Sequence, residues 1–467
     1  MDVREDALKL LNDSVVEFEG KPVGTLAAMD TSTEALNYNQ VFTRDFAVSA
    51  VAFLLEGKTE IVKNFLLQLV ELQSREKHFD CFRASQGLMP ASFEIKVEDG
   101  KEIIIPDYGE KAIAKVAPVD AGFWWLFILR TYVRMSGEPL HEEPRVQESI
   151  RLILDLSLPS RFDMFPTLLV PDGSFMIDRR MGVYGHPLDI QALFYAALRV
   201  AYELLTDTEE NGPYRHGVRE RLGHLTYHIR SYYWMDFRGL NTLYRSDVEE
   251  YGLNALNRFN IYSDTIPEWL HEWFPPDGGY FIGNLGPARM DFRFFTAGNL
   301  MAVLSSLADE EQSRSILELI RHNKELLIGN MPIKVSYPTL EGEKWKTLTG
   351  SDPKNTPWSY QNSGGWPFLL WLLAAAEAKT GRSDLTEEAL QLVEKRISAD
   401  KWPEYYDGPN NRLIGKQAKL YQVWSAAGYI IADRLRNDPT AWQIFGFEAS
   451  TDLIACSTRI ARTFEEE

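Results

Sequence analysis

Carboxylates, arginines and tryptophans recur together along this chain in short runs, and those runs are where chemistry would be done. In order they are NYNQVFTRD (37–45), APVDAGFWW (117–125), YGHPLD (184–189), GPARMDFR (286–293), NTPWSYQNSGGWP (355–367), WPEYYDG (402–408) and KQAKLYQVW (416–424). Asp and Glu accept hydrogen bonds from hydroxyl groups, Arg donates them, and Trp or Tyr lies flat on the apolar face of a sugar ring. Twelve Trp suit that use, although a large core would also absorb them.

Each candidate also has a plainer role. Asp45, Asp120 and Asp189 all fall where an apolar helix should begin, and an acid there satisfies free amides and the helix dipole. His186 precedes Pro187 at a first helical turn, and Arg44, Arg289 and Arg293 can pair with nearby acids. Glu404 differs, because it follows Trp402-Pro403 in a Tyr-rich loop and has no helix to cap. Other chemistries leave no trace: GxxxxGK[ST], HExxH, DDxxD, CxxC and GxSxG are all missing. What remains is a site whose strongest reagents are carboxyl groups, with no metal and no cofactor expected. Paired carboxylates flanking an acetal are the apparatus of glycoside hydrolysis.

The elements that must position these residues follow from periodicity. One set of helices carries a single apolar stripe, as in Ile61, Val62, Phe65, Leu66 and Leu69, or Leu385, Ala389, Leu390 and Val393. A second set is apolar nearly all round: 46–55, 121–129, 190–201, 294–307, 367–376 and 423–432. Helices without a polar face must be buried on several sides. The two sets alternate, six of each, which predicts an all-α (α/α)6 barrel with an inner ring wrapped by an outer one; a pair of stacked bundles is the competing arrangement. Links from inner to outer helices are short, whereas 18–42, 77–119, 158–186, 236–292, 328–362 and 399–415 are long and should share one rim. Within the second long link, FEIKVEDGKEIIIPDYG predicts a small β-hairpin turning at Asp99-Gly100. No linker interrupts residues 1–467, so a single catalytic domain is expected.

Composition sets the surroundings. With 49 Lys+Arg against 67 Asp+Glu, the net charge of -18 argues against nucleic acid as a partner. Two Cys are too few for a disulfide framework or a thiolate metal site. No apolar run approaches the ~20 residues of a membrane span, and the charged amino terminus has no signal core, so a soluble cytoplasmic protein is expected.

Several of these runs together resemble the neutral/alkaline invertases, glycoside hydrolase family 100. The resemblance rests on LNYNQVFTRDF, GLMPASF, DYGEKAIAKVAPVDAGFWW, GHPLDIQALFYAAL, YFIGNLGPARMDFRFF, DPKNTPWSYQNSGGWPFLLW and WPEYYDG, in the same order from about residue 35 to 432. It implies an (α/α)6 barrel that hydrolyses sucrose to glucose and fructose with inversion, needs no metal, works in the cytosol and forms a homo-oligomer. It assigns the general acid to Asp189 of HPLD and the general base to Glu404 of WPEYYDG. The short leader fits a bacterial, cyanobacterial-type member. Two departures stand out: Gln361 replaces a His and Asn39 replaces an Asp, which bears on substrate preference if either touches the sugar.

On this reading Arg44, Asp45, Trp125, Tyr280, Arg293, Gln361, Asn362, Trp366, Gln422 and Trp424 should line the mouth and grip the sugar. Inversion needs the two carboxyl groups about 6.5–9.5 Å apart, with a water between Glu404 and the anomeric carbon. Asp189 must stay protonated although its place in a first helical turn favours the charged form. Burial and repulsion from acids such as Asp45 should therefore raise its pKa. A trehalase-like inverting α-glucosidase and a non-catalytic sugar-binding barrel are the alternatives.

Overall fold

In the computed structural model, the described residues are 2–31, 40–77, 85–112, 116–158, 165–245, 265–286 and 289–465. Asn39 and Cys81 lie outside them, as does the side chain of Arg289.

Six inner helices form a closed ring: Thr43–Leu55, Ala121–Ser136, Leu188–Leu204, Thr296–Leu304, Leu370–Lys379 and Val423–Asn437. Each packs on the next, and the last packs back on the first. Their faces explain this. In helix 43–55 every residue from Phe46 to Leu55 is buried, and helix 188–204 is buried along nearly its whole length. The outer ring is Val3–Asp13, Thr59–Leu72, Pro144–Ser157, Gly212–Tyr232, Glu310–His322 and Asp384–Glu394, each burying one stripe. The fold is thus an (α/α)6 barrel with small sheets. No helix among the described residues is long and apolar enough to cross a membrane.

The expected hairpin is present as Ser92–Glu98 paired with Lys101–Asp107. Asp99 and Gly100 both take positive φ (51° and 76°), as a tight two-residue turn between twisted strands requires. Three features depart from expectation. The apolar run 294–307 is not all helix: Phe294 and Phe295 end a strand, Arg289–Phe295, that pairs with Gly279–Gly286. The amphipathic pattern of residues 4–17 predicts one helix, but residues 15–18 belong to a second hairpin with Lys21–Thr25. A further helix, Thr451–Glu465, packs outside the ring against helix 212–232.

The strands act as a brace. His186-Pro187 pairs with Leu285 and Asn284, and the same hairpin runs directly into helix 296–304. Asn284 accepts from the His186 backbone N–H at 2.9 Å and donates to the Tyr184 carbonyl, and the Tyr233 hydroxyl donates to the His186 carbonyl. The approach to Asp189 is therefore fixed from three sides.

Candidate active site

All six inner helices deliver first-turn or adjacent residues to one rim. There, a cavity of about 140 Å³ is lined by Arg44, Asp45, Asp120, Met176, Asp178, Tyr360, Trp366, Glu404, Gln422 and Trp424, among others. A smaller compartment of about 30 Å³ adjoins it, sharing Asp120 and Met176, and is walled by Asp189, Trp124, Phe175, Ala297, Phe368 and Trp371. Glu404 faces the polar compartment and Asp189 the apolar one.

None of the three first-turn acids caps its own helix through its side chain. Asp120 instead receives Arg44 twice, Nε to Oδ2 at 2.5 Å and Nη2 to Oδ1 at 3.2 Å. Burial opposes the Arg44 charge, but Asp120, with Asp178 and Asp45, holds the guanidinium above its ordinary value. Asp45 is pushed up to about 7 by burial; Arg44 pulls it down, while Glu404, Asp178 and Asp120 push it further up.

Asp189 is 8% exposed, and its Oδ1 accepts from the Gly298 backbone N–H at 2.7 Å, in the first turn of the neighbouring inner helix. Its Oδ2 is buried with no hydrogen-bond partner among the described residues. Burial pushes the carboxyl up to about 7 against the opposing Gly298 hydrogen bond. The repulsion expected from Asp45 is not what raises it; desolvation outweighs the Gly298 hydrogen bond. Gly298 is required by close approach, since a Cβ there would stand 2.6 Å from Asp189 Oδ1.

Glu404 sits in a loop stitched from both sides. Its N–H donates to the Lys419 carbonyl at 2.8 Å, Tyr406 exchanges backbone bonds with Gly365, and Gln422 donates to the Trp402 carbonyl. The residue is 3% exposed, with Lys354 Nζ 3.3 Å from Oε2. Lys354 in turn lies over the rings of Tyr360 and Tyr405, at 3.9 and 5.4 Å.

The binding residues expected from the sequence divide. Arg44, Asp45, Trp366, Gln422 and Trp424 line the cavity. Trp125 does not: it is fully buried and donates to the Leu66 carbonyl, while its neighbour Trp124 faces the apolar compartment. Tyr280 is fully buried, its hydroxyl donating to the Phe292 carbonyl. Arg293 is turned onto Asp291, with Nη2 to Oδ2 at 2.5 Å. Asn362 is spent on the backbone of Leu340 and Asn355. Gln361 stands behind the cavity, donating to the Met176 carbonyl at 2.9 Å and to Asp178 Oδ1 at 2.7 Å. It therefore holds an acid that lines the cavity. Sequence reasoning overlooked Asp178, Lys354 and Trp124. Lys354 lay within the quoted run DPKNTPW, but nothing in the sequence marks its proximity to Glu404.

The family model for alkaline and neutral invertase matches residues 7–439. The chloroplastic alkaline/neutral invertase E of Arabidopsis thaliana is 52% identical over 460 residues, covering 97% of this chain and 75% of that protein. Cytosolic invertase 1 of Oryza sativa subsp. japonica is 52% identical over 439 residues, covering 93% and 78%. Among solved structures, a bacterial glucoamylase complexed with acarbose superimposes with a TM-score of 0.55 at 12% identity, covering 98% of this chain and 57% of that one. A wild-type glycosidase gives 0.54 at 13%, covering 93% and 96%. At such identities these two share the fold alone. Matched along almost its whole length, the chain belongs to the alkaline and neutral invertase family of glycoside hydrolases.

Proposed function

We infer that this chain hydrolyses sucrose to glucose and fructose with inversion, Asp189 donating the proton to the bridging oxygen and Glu404 activating the attacking water. One observation carries the division of labour: Asp189 is kept neutral up to about pH 7 by an apolar compartment, with one carboxyl oxygen unengaged. A general acid needs both properties. Glu404, in the adjoining compartment, has the Lys354 side chain 3.3 Å from its Oε2. As positive charge builds on the sugar ring, the carboxylate draws a proton from water on the face opposite the departing oxygen.

Arg44, Asp45, Asp178, Trp366, Gln422 and Trp424 are proposed to bind the sugar. Buried polar groups ordinarily find partners, yet Gln422 Oε1 and the indole N–H groups of Trp124, Trp371 and Trp424 have none among the described residues. A ligand rich in hydroxyls supplies them. The departure at Gln361 then acts through Asp178 rather than by direct contact.

The deciding experiment follows product anomers by NMR for wild type, Asp189→Asn and Glu404→Gln, with trehalose and maltose assayed beside sucrose. Release of the inverted sugar by wild type alone, from sucrose alone, is expected. Retained configuration, or full turnover by either variant, refutes the assignment. We also propose a single catalytic unit, a homo-oligomeric state, a cytoplasmic setting and a bacterial, cyanobacterial-type origin; light scattering on the purified chain tests the assembly.

A further inference from the structure

A sizeable cavity lies away from the carboxylate rim. About 540 Å³ in volume, it lies where inner helices end, between the carboxyl-terminal ends of helices 188–204, 296–304 and 370–379 and the start of helix 451–465. That size falls within the range of small-molecule sites.

Four cations line it: Arg199, Arg230, Arg314 and Lys379. Two carboxylates line it as well, and both are already matched. Asp309 stands 3.8 Å from Arg230 and Glu310 stands 3.3 Å from Arg314. Arg199 and Lys379 form no ion pair among the described residues. Arg199 donates to the carbonyls of Ser305 and Glu448, at 2.8 and 2.7 Å. Lys379 donates to the Val303 carbonyl at 2.6 Å and to the Ser306 hydroxyl at 2.7 Å. The Val303 and Ser305 carbonyls close the end of helix 296–304, whose dipole offsets only about half a charge, and the Glu448 carbonyl belongs to the loop before helix 451–465. Two cationic side chains without an ion pair among the described residues therefore face one cavity. Burial, together with repulsion from Arg199, pushes Lys379 down to about 7 against the opposing pull of Glu448. A bound anion would relieve that cost.

A second, independent feature faces the same space. Helix 451–465 begins at the cavity wall, with Ser450 accepting from the Leu453 N–H, so its first-turn amides add to the positive field. Hydroxyl groups of Thr226, Ser306, Ser313, Thr380 and Ser457 complete the lining.

We propose that this cavity binds a small phosphate monoester carrying several hydroxyl groups, at the end of the barrel remote from Asp189 and Glu404. The phosphate meets Arg199, Lys379 and the amides at the start of helix 451–465, and the polyol meets the Ser and Thr hydroxyls. Because Arg199 shares its helix with Asp189, an occupant touches an element that the reaction uses.

Calorimetry on the full chain tests this with glucose 6-phosphate, glucose and inorganic phosphate, each with and without saturating sucrose on the Glu404→Gln background. Glucose 6-phosphate should bind with sucrose present, at least tenfold more tightly than inorganic phosphate, while glucose should be displaced by sucrose. Ser450→Asp keeps a helix-capping side chain but sets a negative charge at the wall. It should weaken glucose 6-phosphate binding at least tenfold and leave kcat and KM for sucrose unchanged. Lys379→Met should act in the same direction if its circular dichroism spectrum stays native; Ser450→Asp decides the matter if it does not. Displacement of glucose 6-phosphate by sucrose, equal affinity for inorganic phosphate, no binding at all, or indifference to Ser450→Asp each overturns the proposal. None of these outcomes depends on which carboxylate is the catalytic acid.

Discussion

The two compartments of the rim hold carboxyl groups of nearly equal burial in opposite surroundings. Asp189 is walled by Trp124, Phe175, Phe368 and Trp371, and its only side-chain hydrogen bond among the described residues comes from one backbone amide. Glu404 lies among Arg44, Asp45, Asp120 and Asp178, with Lys354 at 3.3 Å. Removing a carboxyl from water favours its neutral form, whereas a neighbouring cation favours its charge. On the proposed assignment, the barrel makes a proton donor by withholding partners and a proton acceptor by supplying one. Asp45 belongs to neither case. It is held near 7 by burial with like charges around it, which leaves it able to donate as well as accept a hydrogen bond.

This contrast can be broken at several points. The largest effect should follow from Asp189→Ala or Glu404→Ala, each lowering kcat by several orders of magnitude with circular dichroism unchanged. Gly298→Ala comes next: the added methyl displaces Asp189 Oδ1, and a misplacement of ~1 Å can cost about a hundredfold. The loss should appear in kcat with KM little changed; a normal kcat would mean that the carboxyl has room to move. Lys354→Met strips Glu404 of its cation and should lower kcat about tenfold or more, with a changed pH profile that a packing defect alone would not produce. Gln361→Ala frees Asp178 and should raise KM for sucrose a few-fold with kcat nearly intact.

The smallest effect concerns stability. Asp189 carries a folded-state pKa of about 7, above the ~3.9 of an unfolded Asp. The folded protein therefore holds the extra proton, and this contribution is full below about pH 4 and lost as pH rises through 7. Asp189→Asn cannot ionise, so its Tm should match wild type near pH 4 and exceed it by a few degrees near pH 8. Equal Tm at both pH values would show that the compartment does not penalise the charge.

The ring itself was legible in the sequence, because helices buried all round and helices with one apolar stripe leave different patterns. The same property hid the details. In helix 121–136, apolar nearly all round, successive residues point about 100° apart, and nothing in the pattern says which of Trp124 and Trp125 faces the compartment. Apolar composition also concealed the 279–295 hairpin, whose Phe294 and Phe295 suit a buried strand as well as a helix. Asp189 and Glu404 were found through motif resemblance, and their surroundings depend on long-range packing. Lys354 reaches Glu404, and Gln361 reaches Asp178, only once distant segments meet.

Closure of the inner ring has a consequence for synthesis. Helix 423–437 seals against helix 43–55, helix 3–13 lies along it, and Asp6 binds the indole of Trp402 beside Glu404. A nascent chain still held at the ribosome before the sixth inner helix emerges has an open ring, with Gln422 and Trp424 missing from the crater. Activity should therefore switch on late and all at once during translation, and the apolar flanks of the first five inner helices must be shielded until then.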